Sequence, residues 1–211
     1  MTTSAPKNRR RPAAPAKAAP PRARVPKRRG YHHGDLKVAL LEAAERLLKK
    51  EGVAGLKLRA ITRMVGVSHT AGDPHFGDHT GLLSELAAVG FERLGDAMLQ
   101  SDGAPGRAYI TFALSNRQMF TLMFRNEALN FEWPRLRAAV DRAAVVLSRA
   151  AGDQSGIAHG LPLDRASRMA RAWALVHGLS LLAIGGSLNG IVRRTPGASL
   201  ESLIAAALTG E

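Results

Sequence analysis

The stretch from Leu58 to Phe76 reads Leu-Arg-Ala-Ile-Thr-Arg-Met-Val-Gly-Val-Ser-His-Thr-Ala-Gly-Asp-Pro-His-Phe. Four apolar side chains in its first half fall at helical spacing and predict a short helix with one apolar face: Ala60, Ile61, Met64 and Val65. Gly66 follows as a turn residue that can adopt a positive φ angle. Ser68 is a favourable N-cap for a second short helix. Helix, glycine turn and capped helix together predict a helix-turn-helix, whose second helix enters the major groove of DNA.

Helical periodicity continues on both sides of this stretch, so the sequence predicts an all-α protein. We expect a three-helix, helix-turn-helix headpiece followed by a helical ligand-binding and dimerisation domain. The domain boundaries are 1–30 for a disordered basic tail, 31–78 for the headpiece and 79–211 for the second domain. Predicted helices cover about 36–50, 58–65, 79–99, 107–117, 117–125, 132–151, 164–185 and 199–209, in addition to the one that begins at Ser68. The predicted N-caps of three of these helices are Asp78, Asp164 and Ser199.

The second helix of the motif contains residues that oppose a regular helix. Gly72 costs about 1 kcal/mol relative to Ala. Pro74 lacks the N–H that would bond the carbonyl of Thr70, which costs about 3 kcal/mol, and it biases Asp73 away from the α region. We therefore expect this helix to be one turn long or kinked. The predicted helix begins at Ser68, and His69 and Thr70, followed by Ala71, would lie where base edges are read in helix-turn-helix proteins.

The positive charge of the chain is concentrated in its first thirty residues. The whole chain has a formal net charge of +13, whereas residues 31–97 carry eight basic and nine acidic side chains. Residues 1–30 contain no acid and ten basic side chains: Lys7, Arg9, Arg10, Arg11, Lys17, Arg22, Arg24, Lys27, Arg28 and Arg29. This tail has almost no large apolar residue, so we expect disorder. Two interpretations remain. The tail is a solubility tail or an alternative-start extension, or else it is an arm that binds phosphates through Lys27, Arg28 and Arg29.

Composition excludes several classes of protein. The chain has no Cys, so it holds no disulfide framework, thiol nucleophile or Cys-ligated zinc. We find no signal peptide and no run of 18 apolar residues, and we expect a cytoplasmic protein without a membrane span. No paired catalytic carboxylates, activated nucleophile, phosphate-cradling glycine loop or metal cluster is evident, so we predict no enzyme and no cofactor. His32 and His33 have no third ligand nearby and are more typical of a polar helix entry.

Aromatic and Met side chains are densest between residues 109 and 124. They form either ordinary core or the wall of a ligand cavity, because Met-rich surfaces repack around varied ligands. As candidate pocket residues we take Tyr109, Phe112, Phe120, Met123, Phe124, Trp173 and His177. His177 would either hydrogen-bond a ligand or be a satisfied core histidine.

The last two predicted helices are unusually apolar. Gly178 lies inside the first of them and costs stability unless another backbone approaches closely. Such helices form either the core of one chain or a four-helix interface between two copies. We assign Gly178, Leu181, Leu203 and Ile204 to a homodimer interface.

Residues 31 to about 97 resemble the DNA-binding headpiece of TetR-type transcriptional regulators. The resemblance rests on Tyr31-His-His-Gly-Asp-Leu, Glu51-Gly52, the stretch just described, His75-Phe76, Asp78 and Leu82-Leu83. Trp173-Ala-Leu-Val-His177-Gly178 resembles the Trp-His-Gly motif of one C-terminal domain in that family. The resemblance implies a homodimer that binds operator DNA and releases it when a small molecule of unknown identity fills the second domain.

The chain departs from the family pattern at three positions. Asp73 occupies the place of a Tyr and His79 the place of a Lys, and in the family both of those residues contact DNA phosphates. Pro74 occupies a basic or polar position. The remaining candidate DNA contacts are Ser68, His69, Thr70 and His75, with Lys57, Arg59 and Arg63 either on phosphate or on a solvated face.

Two functions compete. The first is a ligand-responsive, dimeric transcriptional repressor with an atypical recognition helix at Gly72, Asp73 and Pro74. The second is a degenerate member of the family with weak or no specific DNA binding, which acts as a ligand- or protein-binding dimer. Tail charges could restore affinity in either case, but phosphate contacts carry no sequence information.

Overall fold

The computed structural model describes residue 1, residues 33–150, residue 152 and residues 162–209. The predicted basic tail, His32 and the predicted loop at 153–160 lie outside the described residues. The described residues form ten α-helices: α1 His33–Glu51, α2 Leu58–Val65, α3 Asp73–Phe76, α4 His79–Leu99, α5 Pro105–Ser115, α6 Arg117–Met123, α7 Pro134–Ala150, α8 Leu163–Ile184, α9 Asn189–Arg194 and α10 Leu200–Thr209. The described part of the chain contains no β-strand, which confirms the prediction of an all-α fold.

Helix α4 lies at the centre of the fold. Helix α4 packs most extensively against α7, and it also packs on α1, α3, α5 and α6. Leu82, Leu86, Leu94 and Met98 are buried along its length, where they join the core of the first three helices to that of the later ones. Movement of α4 would therefore affect both halves of the molecule.

Two of the predicted caps are present and one is not. The Asp78 carboxylate accepts a 2.8 Å hydrogen bond from the Gly81 N–H, and the Ser199 hydroxyl accepts a 3.0 Å bond from the Ser202 N–H. The prediction for Asp164 was wrong, because α8 begins one residue earlier, at Leu163, and its N-cap is Pro162. The Asp164 carboxylate instead accepts a hydrogen bond from Arg168, one turn further on.

The buried face of α2 differs from the predicted one. Leu58, Ile61, Thr62 and Val65 face the core at spacings of three and four residues, whereas Met64 is 47% exposed. Including Met64 in the apolar face was therefore wrong. Thr62 takes its place in the buried face because its hydroxyl donates to the Leu58 carbonyl at 3.1 Å, which satisfies the polar group inside the core.

Helices α1 and α4 are also joined by a charged pair. The Arg93 guanidinium donates two hydrogen bonds to the Glu45 carboxylate, at 2.7 and 3.0 Å. The hydrogen bond from Arg93 is the largest cause that lowers the pKa of Glu45, to about 2.

Among the described residues, no helix is long and apolar enough to cross a membrane.

Candidate functional site

The turn between α2 and α3 is fixed by Gly66. Its φ of 78° and ψ of 33° lie in the left-handed region, which glycine adopts at little steric cost. The N–H groups of Gly66 and Val67 both donate to the Thr62 carbonyl, at 2.9 and 3.0 Å. These bonds close the end of α2 and direct the chain into the following segment.

Residues 68–72 form turns, and the α-helix starts only after them. The Ala71 N–H bonds the Ser68 carbonyl and the Asp73 N–H bonds the Thr70 carbonyl. Ser68 therefore does not cap the second helix of the motif, contrary to expectation: Gly72 is the N-cap, and α3 covers Asp73–Phe76. The helix is one turn long, as predicted. We call residues 68–76 the recognition segment.

Pro74 is the second helical residue of α3 rather than a break within a longer helix. The first-turn N–H groups of a helix have no intrahelical acceptor, so the missing N–H of Pro74 costs little there. Asp73 is helical, so the expected bias away from the α region was wrong.

The recognition segment faces solvent along most of its length. Ser68, His69, Thr70, Asp73 and Pro74 are exposed, and His75 is half-buried. Phe76, at the end of the segment, is only 2% exposed and packs in the core. The basic residues of the adjoining helix and its N-cap, Lys57, Arg59 and Arg63, are exposed as well. The structure therefore places these predicted DNA contacts at the surface of one region, except for His75, whose Nε2 atom is buried.

The end of the recognition segment is fitted closely against the start of α4. The His79 Nε2–H donates to the Leu56 carbonyl, so this ring makes an internal bond at the position where the family has a phosphate-binding Lys. A Cβ atom at Gly81 would lie only 1.9 Å from the Phe76 carbonyl oxygen. Only glycine allows the two backbones to approach this closely, so α3 and α4 are positioned by one another.

Sequence reasoning missed an acidic residue buried in α4. Glu85 is 3% exposed, and three donors from two other parts of the chain surround its carboxylate. Lys37 of α1 donates at 3.0 Å, the Trp133 indole N–H at 2.9 Å and Arg135 of α7 at 3.0 Å. Arg135 also donates two bonds to Glu92. A single acid among Leu82, Leu83 and Leu86 was the signal in the sequence.

These donors decide the charge of the buried carboxyl. Burial pushes the pKa of Glu85 upward, but hydrogen bonds from Trp133, Lys37 and Arg135 outweigh it and leave the pKa below its ordinary value. Glu85 is thus an ionised group at neutral pH. The Lys37 ammonium also lies 5.9 Å from the centre of the Phe76 ring, so this ion network, which we call the Glu85 network, reaches the recognition segment.

A cavity of about 220 Å³ lies between α4, α5, α7 and α8. Its lining is apolar or aromatic: Phe91, Leu94, Met98, Tyr109, Phe124, Val140, Ala143, Ala144, Leu147, Met169 and Trp173. No charged side chain is among them. Of the candidate pocket residues, Tyr109, Phe124 and Trp173 line this cavity. Phe112, Phe120, Met123 and His177 do not, because the first three pack into the surrounding core and His177 lies behind the aromatic wall.

One polar pair lies beside the cavity, with Tyr109 buried and His177 half-buried. The Tyr109 hydroxyl and His177 Nδ1 are 3.0 Å apart and share a hydrogen bond. Burial raises the pKa of the Tyr109 phenol and lowers the pKa of the His177 imidazole, so both groups are neutral at pH 7. The His177 ring packs against Phe124, with 4.4 Å between ring centres, and its orientation is set by these contacts.

The predicted dimer residues are divided between surface and interior. Leu181 is 51% exposed, and a Cβ atom at Gly178 would meet nothing within 4 Å. Leu203 is half-buried, and Ile204, at 6% exposed, belongs to the core of its own chain. Four residues of α8 and its C-cap continue the exposed surface at helical spacing: Ala174, Leu175, Leu182 and Gly185. We call these four, with Gly178 and Leu181, the α8 stripe.

Comparison with known proteins identifies this architecture. Residues 104–207 match the family model described as tetracyclin repressor-like, C-terminal domain. The matched region is similar to the C-terminal domain of the TetR family. The matched region runs from the start of α5 to near the end of α10 and contains most of the cavity wall, the Tyr109–His177 pair and the α8 stripe. The recognition segment lies outside the matched region. No curated protein matches the chain.

Solved structures are similar to this fold over most of the chain. A protein with unknown function from Rhodococcus sp. RHA1 is 32% identical, with 87% of this chain and 96% of that chain aligned at a TM-score of 0.67. The protein SCO4313 is 19% identical over 84% and 95%, with a TM-score of 0.66. The TetR family transcriptional regulator PfmR from Thermus thermophilus is 17% identical over 81% and 97%, with a TM-score of 0.50. The last two likenesses concern the fold alone.

Proposed function

We propose that this chain is a homodimeric transcriptional repressor of the TetR type that binds operator DNA through the recognition segment and is released by a small molecule. The observation that carries the proposal is the solvent-facing recognition segment, joined through α4 to a domain with a small apolar cavity. In this proposal Ser68, His69 and Thr70, which are exposed, meet base edges. Lys57 and Arg59, exposed beside them, contact phosphates.

One observation favours the second candidate function, a family member without specific DNA binding. Asp73 is an exposed acid in the middle of the recognition segment, where it would repel phosphates. The internal bond of His79 removes a further donor. Affinity would then depend on the basic tail, including Lys27, Arg28 and Arg29, and binding would be indifferent to sequence.

DNA binding by the full chain and by a shortened chain that begins at Gly30 separates these two candidates. The measurement is fluorescence anisotropy on the DNA upstream of the protein's own gene and on a scrambled duplex, over a series of salt concentrations. We expect the shortened chain to keep its preference for the upstream DNA with a lower affinity and a shallower salt dependence, by about 0.9 in log–log slope for each phosphate that the tail neutralises. Equal binding of both duplexes by both chains would contradict the repressor and support the second candidate.

We also propose that two copies pair through the α8 stripe. Leu175, Leu181 and Leu182 are each more than 40% exposed in a single chain, and burial of such side chains contributes about 25 cal/mol per Å² of apolar area. The open space at Gly178 lets a partner helix approach closely. A two-fold interface brings each stripe against its copy, so a charge placed on it is buried twice.

Replacing Leu182 with Glu is therefore expected to convert the dimer to a monomer at micromolar protein concentration, as measured by sedimentation velocity. The matched control is Leu99→Glu. It makes the same change at a leucine that is 57% exposed at the end of α4, away from the stripe, and should leave the dimer intact. Dimers that persist in Leu182→Glu, or an unaltered chain that sediments as a monomer, would contradict the proposed interface.

We propose that the Glu85 network transmits ligand binding in the cavity to the recognition segment. Helix α7 contributes Val140, Ala143, Ala144 and Leu147 to the cavity wall, and its first turn contributes Arg135 to Glu85. A ligand that displaced α7 would act on Glu85, and through Lys37 on the ring of Phe76. Such a displacement is a rigid shift between packed helices of the kind that switches regulators between two states.

A further inference from the structure

We propose that the small molecule bound by this protein is uncharged and largely apolar, with about nine to twelve non-hydrogen atoms. Calling this molecule the effector rests on the proposed function, but its binding to the cavity does not. The inference comes from three properties of the cavity: the chemistry of its wall, its volume, and the one polar pair beside it.

The wall determines the charge of the ligand. None of the cavity residues carries a charged side chain, and the nearest polar pair is neutral at pH 7. A carboxylate or ammonium group that entered this space would lose its hydration without gaining a partner, which is strongly unfavourable. The wall therefore selects neutral molecules over ions of the same shape.

The volume determines the size of the ligand. A cavity of about 150 Å³ with an apolar wall accommodates benzene, so about 220 Å³ accommodates roughly one and a half times as much. This corresponds to about nine non-hydrogen atoms. Met98 and Met169 extend the upper limit to about twelve, because unbranched thioether side chains repack around ligands of different shape.

The polar pair limits the polarity of the ligand. Tyr109 lines the cavity, but it is only 2% exposed and its hydroxyl is bonded to His177 Nδ1. The cavity wall therefore presents almost no polar surface. An oxygen atom on a ligand gains no hydrogen bond from this pair, so the cavity favours molecules with few polar atoms.

Three probes with nine non-hydrogen atoms each test these properties by isothermal titration of the full chain at pH 7.5. Acetophenone is neutral with one carbonyl oxygen, benzoate carries a negative charge, and isopropylbenzene has no polar atom. We expect acetophenone to bind with a Kd between about 10 µM and 1 mM, which is within the range for a ligand of this size. We expect benzoate to bind at least about tenfold more weakly, because its charge would be buried without a partner.

Two substitutions locate the binding. Ala144→Leu fills the cavity and should weaken both neutral probes by more than about tenfold. Its control, Ala138→Leu, makes the same change on the exposed side of the same helix and should have no effect. Tyr109→Phe should leave both neutral probes within about twofold, because the hydroxyl is bonded to His177 rather than to the ligand. A loss of about fivefold or more for acetophenone alone would contradict this and place a ligand oxygen at Tyr109.

Each result decides the question. Benzoate that binds within threefold of acetophenone, an Ala144→Leu variant that binds normally, or the absence of binding by both neutral probes up to about 5 mM would each overturn the proposal. A protein that binds acetophenone as expected but has no affinity for DNA would support the proposed ligand class while contradicting the repressor.

Discussion

Replacing Glu85 with Gln is expected to lower the free energy of unfolding by about 2–4 kcal/mol. The amide keeps the size of the side chain but loses the charge that holds Lys37 and Arg135, and its NH₂ group faces other donors. Breaking a buried ion pair from one side costs about 3–5 kcal/mol. The lower figure applies here because both cations are more than a third exposed and are partly hydrated. Urea denaturation followed by circular dichroism measures the change.

Glu42→Gln is the matched control. Glu42 lies on α1, 64% exposed, and its 3.8 Å pair with Arg46 is at the surface. Such pairs contribute about 0–1 kcal/mol, so this variant should unfold nearly as the unaltered protein does. If both variants were destabilised equally, Glu85 would not be the node that joins α1, α4 and α7.

The helices of this fold could be predicted largely from the sequence because their apolar periodicity is strong. The first helix of the motif was predicted at 58–65 and is α2 at Leu58–Val65, and the long helices agree to within a few residues. Their ends are set by local chemistry that can be read from sequence, such as the Asp78 cap and the glycine after α2. Helix α9 was not predicted, because six residues that contain Asn, Gly and two Arg show no apolar period.

The contacts between helices could not be predicted in the same way. Periodicity indicates that a side chain is buried but not what it meets, so Tyr109, Phe112 and Phe120 appeared equivalent, although only Tyr109 lines the cavity. Glu85 was overlooked because its three donors come from positions 48 to 50 residues away, in α1 and at the start of α7. The sequence signal for long-range pairing of this kind is a charged residue at a position where an apolar one is expected.

The recognition segment was predicted only in part, and the reason is local. The sequence indicated a short helix, but it also indicated Ser68 as the cap, because Ser is a common N-cap residue. The structure instead has turns at residues 68–72. Gly72 takes the N-cap position, and Pro74 is accommodated in the first helical turn. The consequence is that Asp73 and Pro74 stand at the exposed start of a helix rather than in its interior.

Converting these two positions to the residue types that the family has there is expected to tighten DNA binding. In Asp73→Tyr with Pro74→Arg, each subunit loses an exposed acid and gains a phenol and a guanidinium, without disturbing a buried contact. Hydrogen bonds to charged groups contribute about 1.5–3 kcal/mol each. Ordering the two exposed side chains offsets part of this, so we expect a net gain of about 1–2 kcal/mol per subunit. A dimer should then bind its upstream DNA about 30-fold to 1,000-fold more tightly. Anisotropy titrations should also show a salt dependence steeper by about 0.9 for each phosphate contacted.

General attraction between a more positive protein and DNA would produce part of this gain, so the control must carry the same charge elsewhere. Asp141→Tyr with Ala138→Arg makes the same change at two exposed positions of α7, far along the chain from the recognition segment. If affinity depends on contacts made by residues 73 and 74, only the first pair of substitutions will tighten binding strongly. Equal gains from both pairs, or none from the first, would mean that the start of α3 does not face the duplex, because a carboxylate removed from a phosphate interface cannot leave its affinity unchanged.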